Sequence, residues 1–351
     1  MANGKWKMEN EGTTSELLRY GSSANNMKIG IITPAPPQSR YGNRVTALRW
    51  ARILRKLGHS VSVKQAYSGE RVDLLIALHA LRSYPSIARF HRQFRDRPII
   101  VALTGTDLYR ELNRNKRAQQ SLEIATRIVV LQPKALEALH ERWREKTRVI
   151  CQSVKALTSE ARSSSRDALV SSSTRGTFDV CVIGHLRPVK DPFRTAMAAR
   201  LLSPSSRIRV VQIGRAMSAQ QELRARAEMK TNPRYQWLGE QPRGRVQRIL
   251  KQSRLSVLSS RLEGGANALG EAIVAGIPVL ASRIPGSVGI LGDNYPGYFE
   301  TGATAELAEL MSRAETDPVF FAELRQAGNQ LAPLFDPARE EAAWMKLLGE
   351  V

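Results

Sequence analysis

The sequence has few of the features that mark secreted, metal-binding or membrane-spanning proteins. Its 351 residues include only two cysteines, Cys151 and Cys181, which form no paired spacing. Neither a disulfide framework nor a zinc site is indicated, so a reducing, cytoplasmic setting is predicted. No apolar run approaches the roughly 20 residues that a spanning helix needs. The first residues also lack the apolar segment of a secretory signal, and we expect no stable membrane insertion.

Aromatic and acidic residues are also scarce. Aromatics make up 6% of the chain, and 32 Asp and Glu face 53 Lys and Arg, for a formal net charge of +21. Such a charge is often read as nucleic-acid binding, but the basic residues are spread along the chain and few aromatics accompany them. We expect no nucleic-acid partner. Solvated helix faces account for the charge equally well, and some cations could serve small phosphate-bearing ligands.

Strands and helices alternate along the chain. After Met27 an apolar strand leads to a helix over 44–57, and further strands are predicted over 73–80, 98–105 and 127–132. The helix has an apolar side, and its basic residues are expected largely on the other side: Arg49, Arg52, Arg55 and Lys56. Repeats of this kind predict an α/β fold with doubly wound parallel sheets.

A second series of strands and helices follows a serine-rich stretch, so the chain is long enough for two domains and a cleft between them. The predicted organisation is a mobile leader, an N-terminal Rossmann-like domain, a linker, a C-terminal Rossmann-like domain and a last helix, over 1–26, 27–157, 158–176, 177–336 and 337–351.

A basic loop in the second series is a candidate anion site. A strand ends at Gly184, and a helix is predicted to start near Pro192, with Asp191 as its N-cap. Arg187 and Lys190 lie on the intervening loop, which we expect at the cleft. Two cations there could neutralise a diphosphate and improve it as a leaving group. A pair of solvated loop charges is the alternative.

Two glutamates, Glu263 and Glu271, bracket a glycine-rich turn. Gly264 and Gly265 would let backbone N–H groups approach an anionic or hydroxylated ligand. A helix is predicted over 267–275, with Glu271 one turn inside it. Carboxylates bind vicinal hydroxyls well because each oxygen accepts charge-assisted hydrogen bonds. The alternative is that Glu271 only stabilises the helix dipole and Glu263 is a loop charge.

The whole pattern resembles family-4 glycosyltransferases of the GT-B fold. It consists of two Glu residues with seven residues between them, a glycine-rich turn that they flank, and then Gly-x-Pro-Val and a strand. The resemblance implies that Glu263 contacts the donor hexose, Glu271 the ribose, and the basic loop the diphosphate. It also implies that the last helix crosses back to the first domain, and that the nucleobase lies near Trp237, although a buried Trp is equally ordinary core. The implied catalytic residues are Arg187, Lys190 and Glu263. The implied donor site comprises Gly184, Arg187, Lys190, Leu238, Gly239, Glu263, Gly264, Gly265, Ala266, Asn267 and Glu271.

Segments in both domains, among them ALHALRS (77–83), ALTGTDLYREL (102–112) and IGHLRPVKDPFRTA (183–196), are similar to the SenB-type selenosugar synthases of selenoneine biosynthesis. This resemblance implies transfer of a sugar from a UDP-sugar, typically UDP-N-acetylglucosamine, to selenophosphate, with loss of UDP and phosphate. It also implies functional links to a selenophosphate synthetase and a selenoneine synthase. The sequence has no Asp-x-Asp motif, so no metal or other cofactor is expected.

Selenophosphate is already anionic and strongly nucleophilic, so it needs positioning and charge compensation more than proton removal. A helix N-terminus with arginines suits a tetrahedral anion. The predicted acceptor site comprises Arg40, Asn43, Arg44, His79, Thr104, Gly105, Thr106 and Asp107. His79 and Asp107 rank second, since a lone histidine is more often structural and an aspartate there could only cap the next turn.

A second function stays open, in which a family-4 glycosyltransferase uses a lipid-linked or glycan hydroxyl as acceptor. An enzyme of that kind would rest its basic surface on anionic membrane through an amphipathic docking helix in the first domain. The helix over 44–57 is basic, but its apolar side is expected to be needed for the core.

Overall fold

The computed structural model describes residues 26–155 and 176–351. The predicted leader, apart from Asn26, and the predicted linker, apart from Gly176, lie outside the described residues. The described chain forms two six-stranded sheets, and every strand pair within them is parallel. The prediction of an α/β fold with two doubly wound parallel sheets is therefore confirmed.

The first domain is built on a sheet with the strand order β2-β1-β3-β4-β5-β6. Its strands are β1 Lys28–Ile32, β2 Ser60–Lys64, β3 Leu74–Leu78, β4 Ile99–Ala102, β5 Arg127–Val130 and β6 Thr147–Val149. Its helices are α1 Gly42–Lys56, α2 Tyr84–Gln93, α3 Lys116–Ile124 and α4 Glu141–Arg144, with a π-helical turn at Asp107–Glu111 and a 3-10 turn at Pro133–Leu136. The strand order reverses between β1 and β3, so the loops that follow these strands flank the switch point.

The second domain has the strand order β12-β11-β10-β7-β8-β9. Its strands are β7 Phe178–Ile183, β8 Ile208–Ile213, β9 Tyr235–Trp237, β10 Leu255–Leu258, β11 Val279–Ser282 and β12 Tyr298–Phe299. Its helices are α5 Arg194–Ala199, α6 Ala219–Thr231, α7 Arg243–Gln252, α8 Asn267–Val274, α9 Pro285–Leu291, α10 Thr304–Thr316 and α11 Pro318–Leu331, with 3-10 turns at Pro188–Lys190 and Ala332–Phe335. Here the order reverses between β7 and β10, which makes the loops after them the expected ligand crevice.

The last helix, α12 Pro337–Leu348, packs on the first domain although it follows the second in sequence. The ring of Trp344 meets that of Trp50 edge-on, with centroids 4.8 Å apart. Trp50 Nε1 also donates to Glu340 Oε1 at 2.9 Å. Both tryptophans are fully buried, so α12 is part of the first-domain core.

The helix α1 begins two residues earlier than the sequence predicts. Asn43 and Arg44 therefore lie in its first turn and not ahead of it. The predicted apolar side packs in the core, with Trp50 and Leu54 fully buried. Arg49, expected largely on the polar side, is only 8% exposed. That expectation was wrong because the second domain covers this part of α1, which a single-helix pattern does not show.

The predicted start of the helix after the basic loop was also wrong. Asp191 has a left-handed φ of 42°, and α5 begins only at Arg194. Instead of capping a backbone N–H, the Asp191 carboxylate accepts a hydrogen bond from Arg194 Nε at 3.0 Å. Phe193, which precedes the helix, is buried. The helix starts later than predicted because the Phe193 ring is buried and Asp191 pairs with Arg194.

Within residues 26–155 and 176–351, no helix combines the length and the apolar character that crossing a bilayer requires.

Candidate active site at the interdomain cleft

The two domains touch backbone to backbone where the glycine-rich turn meets the loop after β4. A Cβ on Gly264 would lie 2.3 Å from the carbonyl oxygen of Thr104, and a Cβ on Gly105 would lie 2.7 Å from the Gly264 nitrogen. A Cβ on Gly265 would lie 2.5 Å from Leu131 Cβ. The glycine pair thus allows the first domain to pack closely, a role that the sequence interpretation, centred on ligand approach, did not include.

The carboxylate of Glu263 lies at the switch point of the second sheet, after β10, and is 8% exposed. Lys190 Nζ pairs with its Oε1 atom, and Ser260 Oγ donates to the same oxygen at 2.6 Å. The lysine offsets the unfavourable burial of this carboxylate. The structure therefore brings two of the three predicted catalytic residues into direct contact.

The rest of the basic loop starts where β7 ends. Gly184 N donates to the carbonyl of Ile213 at 2.9 Å, and the Gly184 carbonyl accepts from Gln212 Nε2 at 3.2 Å. A Cβ on Gly184 would lie 4.0 Å from the Lys190 side chain, so the two predicted donor residues are neighbours. Arg187 precedes the 3-10 turn and is exposed. Both predicted cations thus lie on one loop at the crevice.

The second predicted glutamate, Glu271, lies half-buried one turn into α8. Burial raises the pKa of its carboxyl, and the nearby Arg243 and Arg49 act in the opposite direction. Asn267 begins α8 after the buried Ala266, and its Oδ1 accepts from Arg49 Nη2 at 2.9 Å. A first-domain arginine therefore contacts the predicted nucleotide-binding helix.

The predicted nucleobase region follows β9. Trp237 Nε1 donates to the carbonyl of Gly214 at 2.8 Å, and its ring packs against the second-domain core. Leu238 and Gly239 are half-buried, and Gly239 has a positive φ of 67°. The Gln241 amide donates to the Leu238 carbonyl. Trp237 thus has a structural role. The half-buried Leu238 and Gly239 follow it directly after the strand ends.

In the first domain, Asp107 is fully buried and binds backbone groups of its own domain. Its Oδ1 accepts from the N–H groups of Thr104 and Gly105, both at 2.9 Å, and its Oδ2 accepts from Ala80 N at 3.0 Å. The carboxylate therefore joins the loop after β4 to the one after β3. These contacts agree with the alternative that Asp107 caps the next turn, and they give it a positioning role.

The other second-rank candidate, His79, is 2% exposed and has a left-handed φ of 75°. Its Nδ1 accepts from Arg82 N at 3.3 Å, which assigns the proton of the neutral ring to Nε2. Nε2 lies 3.2 Å from Thr106 Oγ1 and 3.6 Å from Glu111 Oε2. Because both ring nitrogens are engaged, this arrangement favours positioning of Thr106 over proton removal from an acceptor.

The loop before α1 reaches across to the second domain. Arg40 Nη1 donates to the carbonyl of Gln241 at 2.6 Å. The rings of Tyr41 and His185 meet edge-on with centroids 5.6 Å apart. Burial lowers the pKa of His185, which keeps the imidazole neutral over a wider range. Arg40, predicted for the acceptor, therefore contacts the region predicted for the nucleobase.

The first turn of α1 presents Asn43 and Arg44, both half-buried. The Nε and Nη1 atoms of Arg44 are buried and have no acceptor within the described part of the chain. Buried donors normally have partners, because leaving one unpaired is unfavourable by about 1–3 kcal/mol. These N–H groups are suited to an anionic ligand oxygen.

Residues 169–331 match the family of glycosyl transferases group 1. This match covers most of the second domain and less than half of the chain. Three solved structures resemble the whole chain: HepE of Anabaena in complex with UDP-glucose, sucrose-phosphate synthase of Thermosynechococcus elongatus, and a UDP-forming α,α-trehalose-phosphate synthase of Burkholderia xenovorans. Their sequence identities are 16%, 14% and 14%, and their TM-scores 0.74, 0.75 and 0.64. The matches cover 93%, 93% and 89% of this chain and 100%, 99% and 80% of those chains.

At these identities the likeness shows the fold, and the GT-B prediction is confirmed. Sequence reasoning missed three side chains that contact predicted site residues: Arg49, Glu111 and Ser260. Ser260 could have been found as a hydroxyl that closely follows a strand. Arg49 carried no such signal, because its burial depends on the other domain. No three His, Cys, Asp or Glu residues of the described segments group as metal ligands would. That the protein needs no metal or other cofactor stays a prediction.

Proposed function

We propose that the protein transfers a sugar from a UDP-sugar to the selenium of selenophosphate. The observation that carries the donor half is the contact between Lys190 and Glu263 at the switch point of a group 1 glycosyltransferase domain. HepE was solved with UDP-glucose, and the trehalose-phosphate synthase is UDP-forming. The proposal extends this donor class to the present chain.

In the proposed reaction Lys190 and Arg187 compensate the charge that develops on the departing UDP. Preorganised cations stabilise the transition state most when water is excluded, and the side chain of Lys190 is only 21% exposed. Glu263 would accept hydrogen bonds from the sugar hydroxyls, and Glu271 from the ribose. Lys190 would then lie between the Glu263 carboxylate and the diphosphate.

The acceptor half of the proposal rests on Arg44. Its buried Nε and Nη1 groups have no acceptor in the described segments. Arg44 lies in the first turn of α1, on the cleft side of the first domain. A selenophosphate oxyanion would satisfy them. Selenium attacks the anomeric carbon, the bond from this carbon to the UDP oxygen breaks, and a C–Se bond forms. Water then takes the phosphoryl group from selenium, which leaves a selenol on the sugar and releases phosphate.

A hydroxyl acceptor, on a lipid-linked sugar or a glycan, requires removal of a proton and so a base. His79 has both nitrogens engaged and Asp107 is bound by three backbone N–H groups. The apolar side of α1 packs in the core, so it is not free to dock on a membrane. The arrangement therefore favours an acceptor that is already anionic. In the cell, a selenophosphate synthetase would supply this acceptor and a selenoneine synthase would use the product.

The proposal is tested by incubating the full chain with UDP-N-acetylglucosamine and selenophosphate while UDP release is followed. Inorganic phosphate in place of selenophosphate is the matched control, and UDP-glucose tests the choice of sugar. We expect UDP and a selenosugar only with selenophosphate. Release of UDP with hydroxyl acceptors alone would replace the selenosugar assignment with the alternative. If calorimetry detects no binding of UDP, the donor half is wrong as well.

A further inference from the structure

Arg49 is a buried cation that belongs to the first domain but contacts the second. Its Nη2 donates to Asn267 Oδ1, the first residue of α8, at 2.9 Å. Arg49 is only 8% exposed, whereas Arg52, one turn further along α1, is exposed. Burying an arginine carries a desolvation penalty that its partners must offset. These partners therefore indicate what the residue does.

The charges that act on Arg49 come from four helices. Glu340 of α12 and Glu271 of α8 are the carboxylates, and Arg243 of α7 and Arg52 of α1 are the cations. Glu340 is also hydrogen-bonded to Trp50 Nε1 and to Ser153. Burial lowers the pKa of Arg49, although an arginine remains charged at neutral pH. Arg49 thus adds a first-domain positive charge beside the half-buried Glu271.

From this geometry we infer that Arg49 is a positioning residue for the nucleotide half of the site. It holds the side chain of Asn267 and supplies a compensating charge to Glu271, so nucleotide binding in the second domain depends on a side chain of the first. The inference rests on the proposed function, in which Glu271 accepts hydrogen bonds from the ribose.

The charge of Glu271 matters because an ionised carboxylate accepts stronger hydrogen bonds from hydroxyls than a protonated carboxyl does, and it offers both oxygens as acceptors. Burial raises its pKa, while Arg243 and Arg49 lower it. Cys181 is the other titratable group that interacts with Glu271, and burial raises the pKa of this thiol to about 12, so it stays neutral near pH 7. Loss of Arg49 should therefore raise the Glu271 pKa further. Nucleotide affinity should then fall at a higher pH than in the wild type.

The test is the affinity of the full chain for UDP, measured by calorimetry between pH 6 and pH 8.5. Arg49→Gln should weaken UDP binding by about tenfold near pH 6.5, which corresponds to about 1.4 kcal/mol, and by less at pH 8.5. Arg49→Lys should retain much of the wild-type dependence of UDP affinity on pH, since it retains the positive charge. Arg52→Gln removes an exposed arginine from the same helix, and it should match the wild type within about twofold.

A double-mutant cycle separates the Asn267 contact from general damage to the fold. Asn267→Ala and Arg49→Gln should weaken UDP binding by less together than the product of their single effects, because they share one hydrogen bond. Thermal unfolding would show that each variant is folded. Wild-type affinity in Arg49→Gln at every pH, or a loss that is independent of pH and not reduced in Arg49→Lys, would overturn the inference alone. A wild-type chain that binds no UDP would overturn the proposed function, and this inference with it.

Discussion

The cleft edges of the two sheets use their polar residues differently. In the second domain, Glu263 accepts only from side chains, those of Lys190 and Ser260. In the first domain, Asp107 accepts from three backbone N–H groups and no side chain is among its recorded partners. A carboxylate whose partners are mobile side chains can exchange them for a ligand. One held by backbone groups shapes the loop around it.

The difference extends to the cations. Lys190 is paired with a carboxylate, whereas two buried donor atoms of Arg44 have no acceptor in the part of the chain that the structure describes. At the second sheet, Lys190 is therefore compensated before any ligand binds, while the buried donors of Arg44 at the first sheet have no acceptor among the described residues. This contrast is consistent with a UDP-sugar at one edge and a small free anion at the other.

The strongest test of the contrast is Lys190→Met. Loss of this cation should reduce kcat/KM for the UDP-sugar by about 10²- to 10³-fold, the usual effect of removing a group that stabilises developing charge. The control is Lys251→Met, an exposed lysine on α7, and it should leave the rate unchanged. The measurement is steady-state UDP release. A reduction below tenfold would mean that Lys190 is a structural partner of Glu263 and no more.

A second test asks whether Asp107 is structural. Asp107→Ala leaves three N–H groups without their acceptor and should destabilise the first domain by about 3 kcal/mol, or roughly 6–12 °C in Tm. Asp73→Ala in the same domain is the control, because that exposed side chain accepts one backbone hydrogen bond, from Lys28 N, and otherwise forms only a surface ion pair with Arg97 at 3.4 Å. It should lower Tm by no more than about 4 °C. Unchanged Tm with lost activity in Asp107→Ala would instead assign Asp107 to the substrate.

The smallest expected effect is that of Arg44→Met. Removal of the guanidinium should raise KM for selenophosphate by about tenfold, since hydrogen bonds to charged groups contribute roughly 1.5–3 kcal/mol. UDP affinity should not change. Arg52→Met is the matched control on the same helix. A parallel loss of UDP affinity in Arg44→Met would show that the two edges do not divide donor and acceptor as proposed.

Much of the fold could be predicted from the sequence because its signals are local. The apolar strands and the alternation with helices predict two doubly wound sheets, and the glycine after α8 ends that helix as expected, with Gly276 at a φ of 71°. The starts of the helices were predicted less accurately. α1 starts at Gly42 and α5 at Arg194, since burial of Phe193 and the pairing of Asp191 depend on tertiary neighbours. β6 and β12 were missed because strands of three and two residues carry little pattern.

The candidate site divides in the same way. Glu263, Lys190 and Glu271 could be predicted because strand ends, a basic loop and a glycine pair are read directly along the chain. The contact of Gly264 with Thr104 could not, because it joins backbones 160 positions apart in different domains. The same holds for the burial of Arg49, whose neighbours on α1 give no sign that α8 covers it.

By itself the sequence determined the two-domain α/β architecture and the residue types at the cleft edge of the second sheet, because periodicity and strand-loop-helix order are properties of neighbouring residues. Only the tertiary structure decided which polar groups remain available. Asp107 is engaged by backbone N–H groups from two loops, Arg49 is buried by the second domain, and Arg44 keeps free donors. Each of these outcomes depends on partners distant in sequence, whose approach is set by packing.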